Sequence, residues 1–582
     1  MGVPVVTLAG QTHVARVGVS ILSRMGLPEL IANTPEEYVS IAAGLAGDLP
    51  RLKELRETMR QRMAEPGLMD AAILTRDLEA AYVDMWQSYC ERSLHAPVVV
   101  AEVENVMPAR PMMLAGGERV WVPDDLTLMT PYVLLEQEDW FEDEIRFVRR
   151  LVQPGMRVLD IGANYGVYTV SLARAVGETG RVWAVEPVAK TCRYLSRTLS
   201  EEKLGQVLLV RTALSDFEGT THMHIEANAE LNCFEEGAGG EAVAVRRLDN
   251  LWQAEAMGML DFIKMDAEGQ EENILKGAER CLAEASPLVM FEVVHGKGRN
   301  LGVVKQLRGM GYTPYRLVPG LMLLVPWTEQ EAADGFQLNL FCCKSDRAEH
   351  LAEQGWLVLP GKRMASPRES GNGVAWVAGL PFATAIRGHW QAGAMLSGGA
   401  EARAALDDYA AALDTQAAPA ARLAALEQAF SQQATALDAL KTPARLATAA
   451  RLSRALGART QARMFVEDAL ARLEGGLEDS AGIEPFLPAT AAFDDRVADS
   501  PAWMLCMLRS AYEELRHFSS YFTHSESHTA LKKLTQAGCL TAEMERRRQL
   551  IRLRYGLQEK PEWTAALADS RNQDFWKQRA PP

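Results

Sequence analysis

The sequence has no run of about 18 apolar residues, the length a helix needs to cross a bilayer, and its N-terminus lacks the basic-then-apolar order of a secretory leader. Basic residues are in deficit. The 61 lysines and arginines against 76 acidic residues leave a net charge of -15, with no long Lys/Arg run to make one face locally basic, which argues against nucleic acid or anionic lipid as a partner. Cysteines are few and scattered, eight in all with no C-x-x-C spacing, so neither a disulfide framework nor a zinc ribbon is expected, and a reduced cytoplasm is. What is present is core material. With 48% hydrophobic and 24% charged residues over 582 positions, the chain can build about three or four packed units.

Three regions and two seams organise it. Residues 1–92 open on "MGVPVVTLAG", a buried-strand pattern, and continue through helical segments to "TRDLEAAYVDMWQSYCER". Near "HAPVVVAEVENVMPARPMM" the helical periodicity gives way to short β-type runs with Pro and Gly, the first seam. From 93 to 345 strands and helices alternate, the pattern of a parallel sheet covered by helices. The strands read as 157–163, 181–187, 207–216, 260–269 and 287–295, then "YTPYRLV" and "FQLNLFCC". A Gly/Pro/Ser-rich stretch over 346–398 reads as an irregular linker. Beyond it, 399–582 is Ala-rich and helical, and "ARLATAARLSRALGARTQARMFVEDALARLEGG" predicts two amphipathic helices joined at Gly457, a packing appendage rather than a repeat array.

The turn "DIGANYGVYT", residues 160–169, lies between the first strand and helix of the middle region. A dinucleotide site needs G-x-G-x-x-G so that the backbone can approach a pyrophosphate. Here Asn164 and Val167 stand at the second and third glycine positions after Gly162, and Asp160 would repel a diphosphate while attracting a cation. A ligand without phosphates is expected, and S-adenosylmethionine, with its sulfonium and ammonium, is such a ligand. Gly162, Asn164 and Gly166 shape the turn. Glu186 closes the second strand twenty residues after Gly166, where a carboxylate accepts ribose hydroxyls, and Ala213, Leu214 and Asp216 in "ALSD" would lie near an adenine.

Residues 130–295 resemble FkbM-type class I methyltransferases. The resemblance is carried by "VLDIGANYGVYT", "VWAVEP", "ALSDFEGT", "VRRLDNL", "IKMDAEGQEENILKGAERCL" and "PLVMFEVVH", with Lys264, Asp266, Glu268, Gly269, Leu275 and Gly277 matching the family pattern after the fourth strand. It implies an α/β fold, a Rossmann-like class I sheet with a closing antiparallel strand, and O-methylation of a hydroxyl on a sugar, glycan or related metabolite, with S-adenosylmethionine as cofactor. Asp266, Glu268 and His295 are the candidate catalytic residues at the ends of the fourth and fifth strands. Asp266 serves equally well as a cap for the helix beginning near Gln270, and His295 equally well as a locally satisfied histidine. His222 and His224 share a strand face, but no further His/Cys cluster accompanies them, and no metal site is expected.

"MGVPVVTLAGQTHVARVGVSILSRMGLPELIANTPEEYVSIAAGLAGDLPRLKELRETMRQRM" resembles the C-terminal end of bacterial O-linked N-acetylglucosamine transferases, with Thr12, His13 and Arg16 matching. The chain is thus read as a partial glycosyltransferase-like α/β lobe, a methyltransferase domain and an all-α C-terminal region. Two alternatives stay open: a clipped form of a two-activity glycosyltransferase/methyltransferase, and a non-catalytic adapter whose helical region holds a protein partner. The expected acceptor bears a hydroxyl, as glycans and glycoproteins do.

Overall fold

The computed structural model describes residues 3–10, 14–64, 75–76, 78–83, 85, 108–224, 228–229, 233–235, 240–295, 298–299, 301–329, 334–362, 372–390, 396–474, 484–523, 525–557 and 562–579. The chain divides into two compact units, Met1–Val99 and Val100–Pro582.

In the first unit Thr7–Leu8 pairs in parallel with Ile31–Ala32, and helices Val17–Arg24, Pro35–Gly47 and Leu49–Ala64 surround a small core of Leu22, Met25, Leu27, Leu30, Leu55 and Met59. The opening apolar run is not the core strand its pattern suggests. Only two of its residues pair, and Val3 and Val5 are 61% and 60% exposed, because a single two-residue neighbour cannot cover them.

The second unit is built on an eight-stranded sheet. Helix α1 (Asp143–Leu151) leads in, with Asp143 in its first turn and Arg149 and Arg150 in its last, charges that suit the helix dipole. Then follow β1 (Arg157–Ile161), α2 (Val167–Val176), β2 (Arg181–Val185), α3 (Ala189–Glu201) and β3 (Val207–Val210). After an excursion come β4 (Phe262–Met265), α4 (Glu271–Lys276), α5 (Glu279–Ala285), β5 (Leu288–Glu292), β6 (Thr313–Val318), β7 (Leu323–Pro326) and β8 (Asn339–Cys343).

The strand order is β7-β6-β8-β5-β4-β1-β2-β3. Strands β3, β2, β1, β4 and β5 are mutually parallel, and β8 runs antiparallel between β5 and β6. The order reverses between β1 and β4, so a crevice opens over their carboxyl ends. Both faces of the sheet are covered. Val158 and Phe262 face one core and their neighbours Leu159 and Ile263 the other, which is why these strands read as unbroken apolar runs.

Three features differ from the sequence reading. The expected third strand is two: β3 ends at Val210, and Ala213–Leu214 joins a separate four-stranded sheet with Gly219–His224, Cys233–Glu235 and Glu241–Arg246. The stretch 346–398 is not irregular throughout, since it holds helices Ser345–Glu353 and Gly373–Ala378 and buries Val377, Phe382 and Trp390. Nor are the C-terminal helices an appendage. Helices α6 (Pro443–Leu456) and α7 (Arg459–Glu474) meet at Gly457, as expected, but their core is continuous with Val318, Leu323 and Val325 of β6 and β7. Leu550, Phe575 and Trp576 complete the core on one face of the sheet. Among the described residues no helix is long and apolar enough to cross a membrane.

Candidate functional site

The turn after β1 is held by backbone. The N–H groups of Gly162 and Ala163 both donate to the Val185 carbonyl at the end of β2, and Asp266 N–H donates to the Ile161 carbonyl, tying the ends of β1, β2 and β4 together. Gly162 has φ +74°, and a Cβ there would lie 1.7 Å from the Asp266 carbonyl oxygen. Close approach of two strand ends therefore requires this glycine, whatever the cleft binds. Asn164 also sits at positive φ (48°), a conformation asparagine tolerates, and its side-chain oxygen accepts from Tyr165 N–H at 2.8 Å.

Glu186, at the tip of β2, is buried. Asn164 N–H donates to its Oε2 and Val188 N–H to its Oε1, each at 3.0 Å, which fixes the carboxyl group over the turn. Burial pushes its pKa up to about 7 against these two donors. Gly162, Ala163, Asn164, Glu186, Ala213 and Leu214 line one cleft, with Asp266 and Glu268 at its other end. Its enclosed part is about 120 Å³, well under the roughly 300–1,000 Å³ of small-molecule sites. A nucleoside-sized ligand would lie along the open groove, with its sugar at Glu186 and its base at Ala213 and Leu214.

Asp160, Gly166 and Asp216 do not line the cleft. Asp160 is fully buried beneath it, accepts from Thr169 Oγ1 at 2.6 Å and lies 3.7 Å from the Lys264 ammonium, so the cation beside it belongs to the chain itself. Gly166 caps α2 at φ +93°, where a Cβ would meet Leu195 Cδ1 at 2.4 Å. The Asp216 carbonyl accepts from Arg247, and its carboxylate from Ser215 Oγ.

Acidic groups gather where the cleft meets the ends of β4 and β5. One carboxylate oxygen each from Asp266, Glu268 and Glu292 lie within 4.8 Å of one another. The counter-charge at hand is Lys264, whose ammonium stands 3.1 Å from Asp266 and donates to the Gly162 carbonyl at 3.0 Å. Burial, then crowding by Asp266, Glu268 and Glu142, pushes the Glu292 carboxyl up to about 10, so it holds a proton at neutral pH. Behind Asp266 the Tyr168 hydroxyl donates to Glu142 Oε2 at 2.6 Å, and burial raises the pKa of both groups.

His295 is in a short strand, Val294–His295, paired with Gly298–Arg299; its side chain lies outside the described residues. His222 and His224 flank Met223, which lines the cleft, so strand alternation turns both away from it. Of the matches in the first unit, Thr12 and His13 lie outside the described residues, and exposed Arg16 reaches the Gly10 carbonyl at 3.4 Å.

Sequence reasoning missed Glu292, Glu142, Trp140, Tyr168 and Thr130. Glu292 carried a signal, a lone carboxyl closing the apolar run "PLVMFE", and Tyr168 lies within the turn motif itself; Glu142, Trp140 and Thr130 come from segments without a motif.

Comparison with known proteins identifies both segments. Residues 160–314 match the methyltransferase FkbM domain and residues 1–78 match glycosyl transferase family 41. Over 91 residues the chain is 48% identical to SPINDLY of Hordeum vulgare, a probable UDP-N-acetylglucosamine–peptide N-acetylglucosaminyltransferase, covering 16% of this chain and 10% of that one. It is 35% identical over 88 residues to the UDP-N-acetylglucosamine–peptide N-acetylglucosaminyltransferase of Caenorhabditis elegans, covering 15% and 8%. The chain thus spans about a tenth of the length of the curated relatives it matches. Among solved structures, the methyltransferase FkbM of Methylobacillus flagellatus KT overlaps 32% of this chain and 43% of its own at 18% identity and TM-score 0.24. A SAM-dependent O-methyltransferase of Thermotoga maritima overlaps 41% and 78% at 16% identity and TM-score 0.22. One chain thus carries a match to the methyltransferase FkbM domain over residues 160–314 and a match to glycosyl transferase family 41 over residues 1–78.

Proposed function

We propose that the protein is an S-adenosylmethionine-dependent O-methyltransferase acting on a hydroxyl of a sugar or glycan. The observation that carries this reading is Glu186. Its carboxyl group is aimed at a cleft by two backbone N–H donors, beside a turn that lacks the glycines of a phosphate cradle. S-adenosylmethionine, when bound, supplies an activated methyl group. The chain must hold the cofactor, align an oxygen with that methyl group and take the hydroxyl proton. We assign Asp266 and Glu268 to orientation at the methyl end and His295 to proton acceptance, with Asp160 and Lys264 holding the floor beneath.

The family 41 segment supports a sugar acceptor. Relatives of that segment are named for transfer of N-acetylglucosamine to peptide, and a glycosyl transfer is the class of reaction that would install a sugar whose hydroxyls a later methyl transfer modifies. A chain with both activities is the second reading, favoured by this same match. Six described cysteines are free and buried, in keeping with a reducing compartment such as the cytoplasm.

The test is calorimetric titration with S-adenosylhomocysteine, followed by an intact-mass search for methylated products among glycans and glycopeptides incubated with S-adenosylmethionine. Glu186→Ala is expected to lose about 1.5–3 kcal/mol of affinity, because ribose hydroxyls lose a charged acceptor. No binding by the wild type, or methyl transfer to nitrogen alone, would overturn the reading.

A further inference from the structure

A second cavity, of about 990 Å³, lies between the sheet and the C-terminal helices. Its walls are the start of α1 (Phe141 to Glu144), the approach to β8 (Asp334 to Asn339) and the junction of α6 and α7, with Phe518 at one side. Consecutive residues line it and the proposed cofactor cleft. Trp140 and Tyr168 line the cleft while Phe141 and Glu142 line the cavity; the rings of Trp140 and Phe141 are 4.7 Å apart, and Tyr168 donates its hydroxyl to Glu142. On the sheet side, Asn339 faces Glu292 in the β5–β8 register. The cavity therefore adjoins the carboxylate cluster where a methyl group would be delivered.

We propose that this cavity is the acceptor site and that its occupant is an uncharged, polyhydroxylated sugar unit held jointly by the methyltransferase sheet and the helical region. The inference rests on the reading of the cleft as an O-methyltransferase site. Three observations give the chemistry.

The first is a run of aromatic faces. Phe141 and Phe336 each lie against Phe518, at centroid distances of 5.0 and 5.2 Å, and the Arg459 guanidinium lies over Phe336 and Phe518 at 4.7 and 4.8 Å, so the wall here is an aromatic patch of the kind that packs against the C–H face of a pyranose, with Arg459 covering part of it. The second is polar groups suited to hydroxyls. Asn339 is 5% exposed, lines the cavity, and its Nδ2 has no hydrogen-bond partner among the described residues. Burial, then the neighbouring Glu142 and Asp143, pushes the Glu144 carboxyl up to about 8, so it can both donate and accept at neutral pH.

The third is charge. The lining arginines are engaged within the protein: Arg454 with Asp143 at 2.7 Å, Arg316 with the Leu456 carbonyl, and Arg459 with the carbonyls of Leu515, Glu514 and His517. Five acidic residues and three arginines line the space, and with Glu144 protonated and Asp143 paired to Arg454 the lining is close to neutral and, among the described residues, offers no free cation to a phosphate or a uronate. The helical region thereby has a task in specificity: α7 supplies Thr460, Gln461, Met464 and Phe465 to the wall, and Thr460 is fixed by Asp334 through its N–H at 2.7 Å.

Gly335 lines the cavity, with nothing within 4 Å of a Cβ there, so Gly335→Trp fills the space at little structural cost. Met464→Trp, at a residue 59% exposed on α7, does so from the helical side. The experiment is saturation-transfer NMR and calorimetry of the full chain with methyl glycosides of neutral hexoses, 6-deoxyhexoses and N-acetylhexosamines, and with one 6-phosphate. At least one neutral glycoside is expected to bind the wild type, its 6-phosphate at least tenfold more weakly, and both variants to lose at least tenfold in sugar affinity at unchanged affinity for S-adenosylhomocysteine. Sugar binding that both variants retain would overturn the cavity assignment while leaving the methyltransferase reading intact. Failure of every neutral glycoside to bind, or tighter binding of the phosphate, would overturn the sugar chemistry. Absence of S-adenosylhomocysteine binding by the wild type would overturn the parent reading, and with it the role of acceptor site.

Discussion

Burial lifts two carboxyl groups of the site, Glu186 to about 7 and Glu292 to about 10, and their titrations act on different properties. If Glu186 holds the ribose as proposed, the hydroxyls would donate to its ionised form, so cofactor binding would favour the form that predominates above pH 7. The dissociation constant for S-adenosylhomocysteine should fall by up to about tenfold between pH 6 and pH 8, because only the ionised fraction is fully competent. Glu186→Gln should flatten that profile, and a wild-type profile already flat would remove Glu186 from ribose recognition. Glu292 governs stability instead. Its folded pKa lies above the roughly 4.3 of an unfolded glutamate, so its contribution is complete below that value and is lost as pH rises towards 10. Glu292→Gln imitates the protonated form. Its thermal stability relative to wild type should grow between pH 5 and pH 9, by at most about 1.4 kcal/mol per pH unit, and a pH-independent difference in melting temperature would contradict the assignment.

Elements differ in how much of themselves the sequence discloses. Strands β1, β2, β4 and β5 are apolar on both faces because helices cover both, so each reads as a run between turns, and the strand-end residues Gly162, Glu186 and Asp266 were legible with them. Strand β7 was missed, since its four residues follow a tight turn and pair only with β6 among the named strands. The opening "VPVV" carried the same apolar pattern without a sheet to bury it. Glu142 and Trp140 were illegible for another reason. They reach the site because α1 packs beneath it, a placement no local spacing encodes. Gly162 is where element geometry is most demanding: Gly162→Ala places a Cβ against the Asp266 carbonyl at positive φ and should cost about 2–4 kcal/mol in urea unfolding. Gly205, where a Cβ meets nothing within 4 Å, is the control, and equal losses for Gly162→Ala and Gly205→Ala would refute the close-approach argument.

At the scale of the second unit, the helical region is tied to the methyltransferase sheet by a buried ionic junction as well as by shared apolar cores. Glu136, on the helix Met129–Gln137, is wholly buried; its carboxylate accepts from the N–H and hydroxyl of Ser520 and lies 3.1 Å from the guanidinium of Arg547, itself 98% or more enclosed. Arg547 also pairs with Glu543 at 3.0 Å and donates to the Glu513 carbonyl, while Arg546 donates to the Glu136 carbonyl. A buried pair of this kind adds little over a well-packed apolar pair, because desolvation offsets most of the attraction. Removing one partner is a different matter, since it strands a charge in the interior at a cost of about 3–5 kcal/mol. Arg547→Met should therefore destabilise the unit by that amount, and Glu136→Gln in the same background should restore part of it by removing the stranded carboxylate. The cofactor cleft and the helical region should lose structure together, so S-adenosylhomocysteine affinity and far-ultraviolet helicity are expected to fall in one denaturation transition. Two separated transitions, or an Arg547→Met variant within about 0.5 kcal/mol of wild type, would mean that the helices dock on the sheet without being part of its fold, and the jointly walled cavity would lose its structural basis.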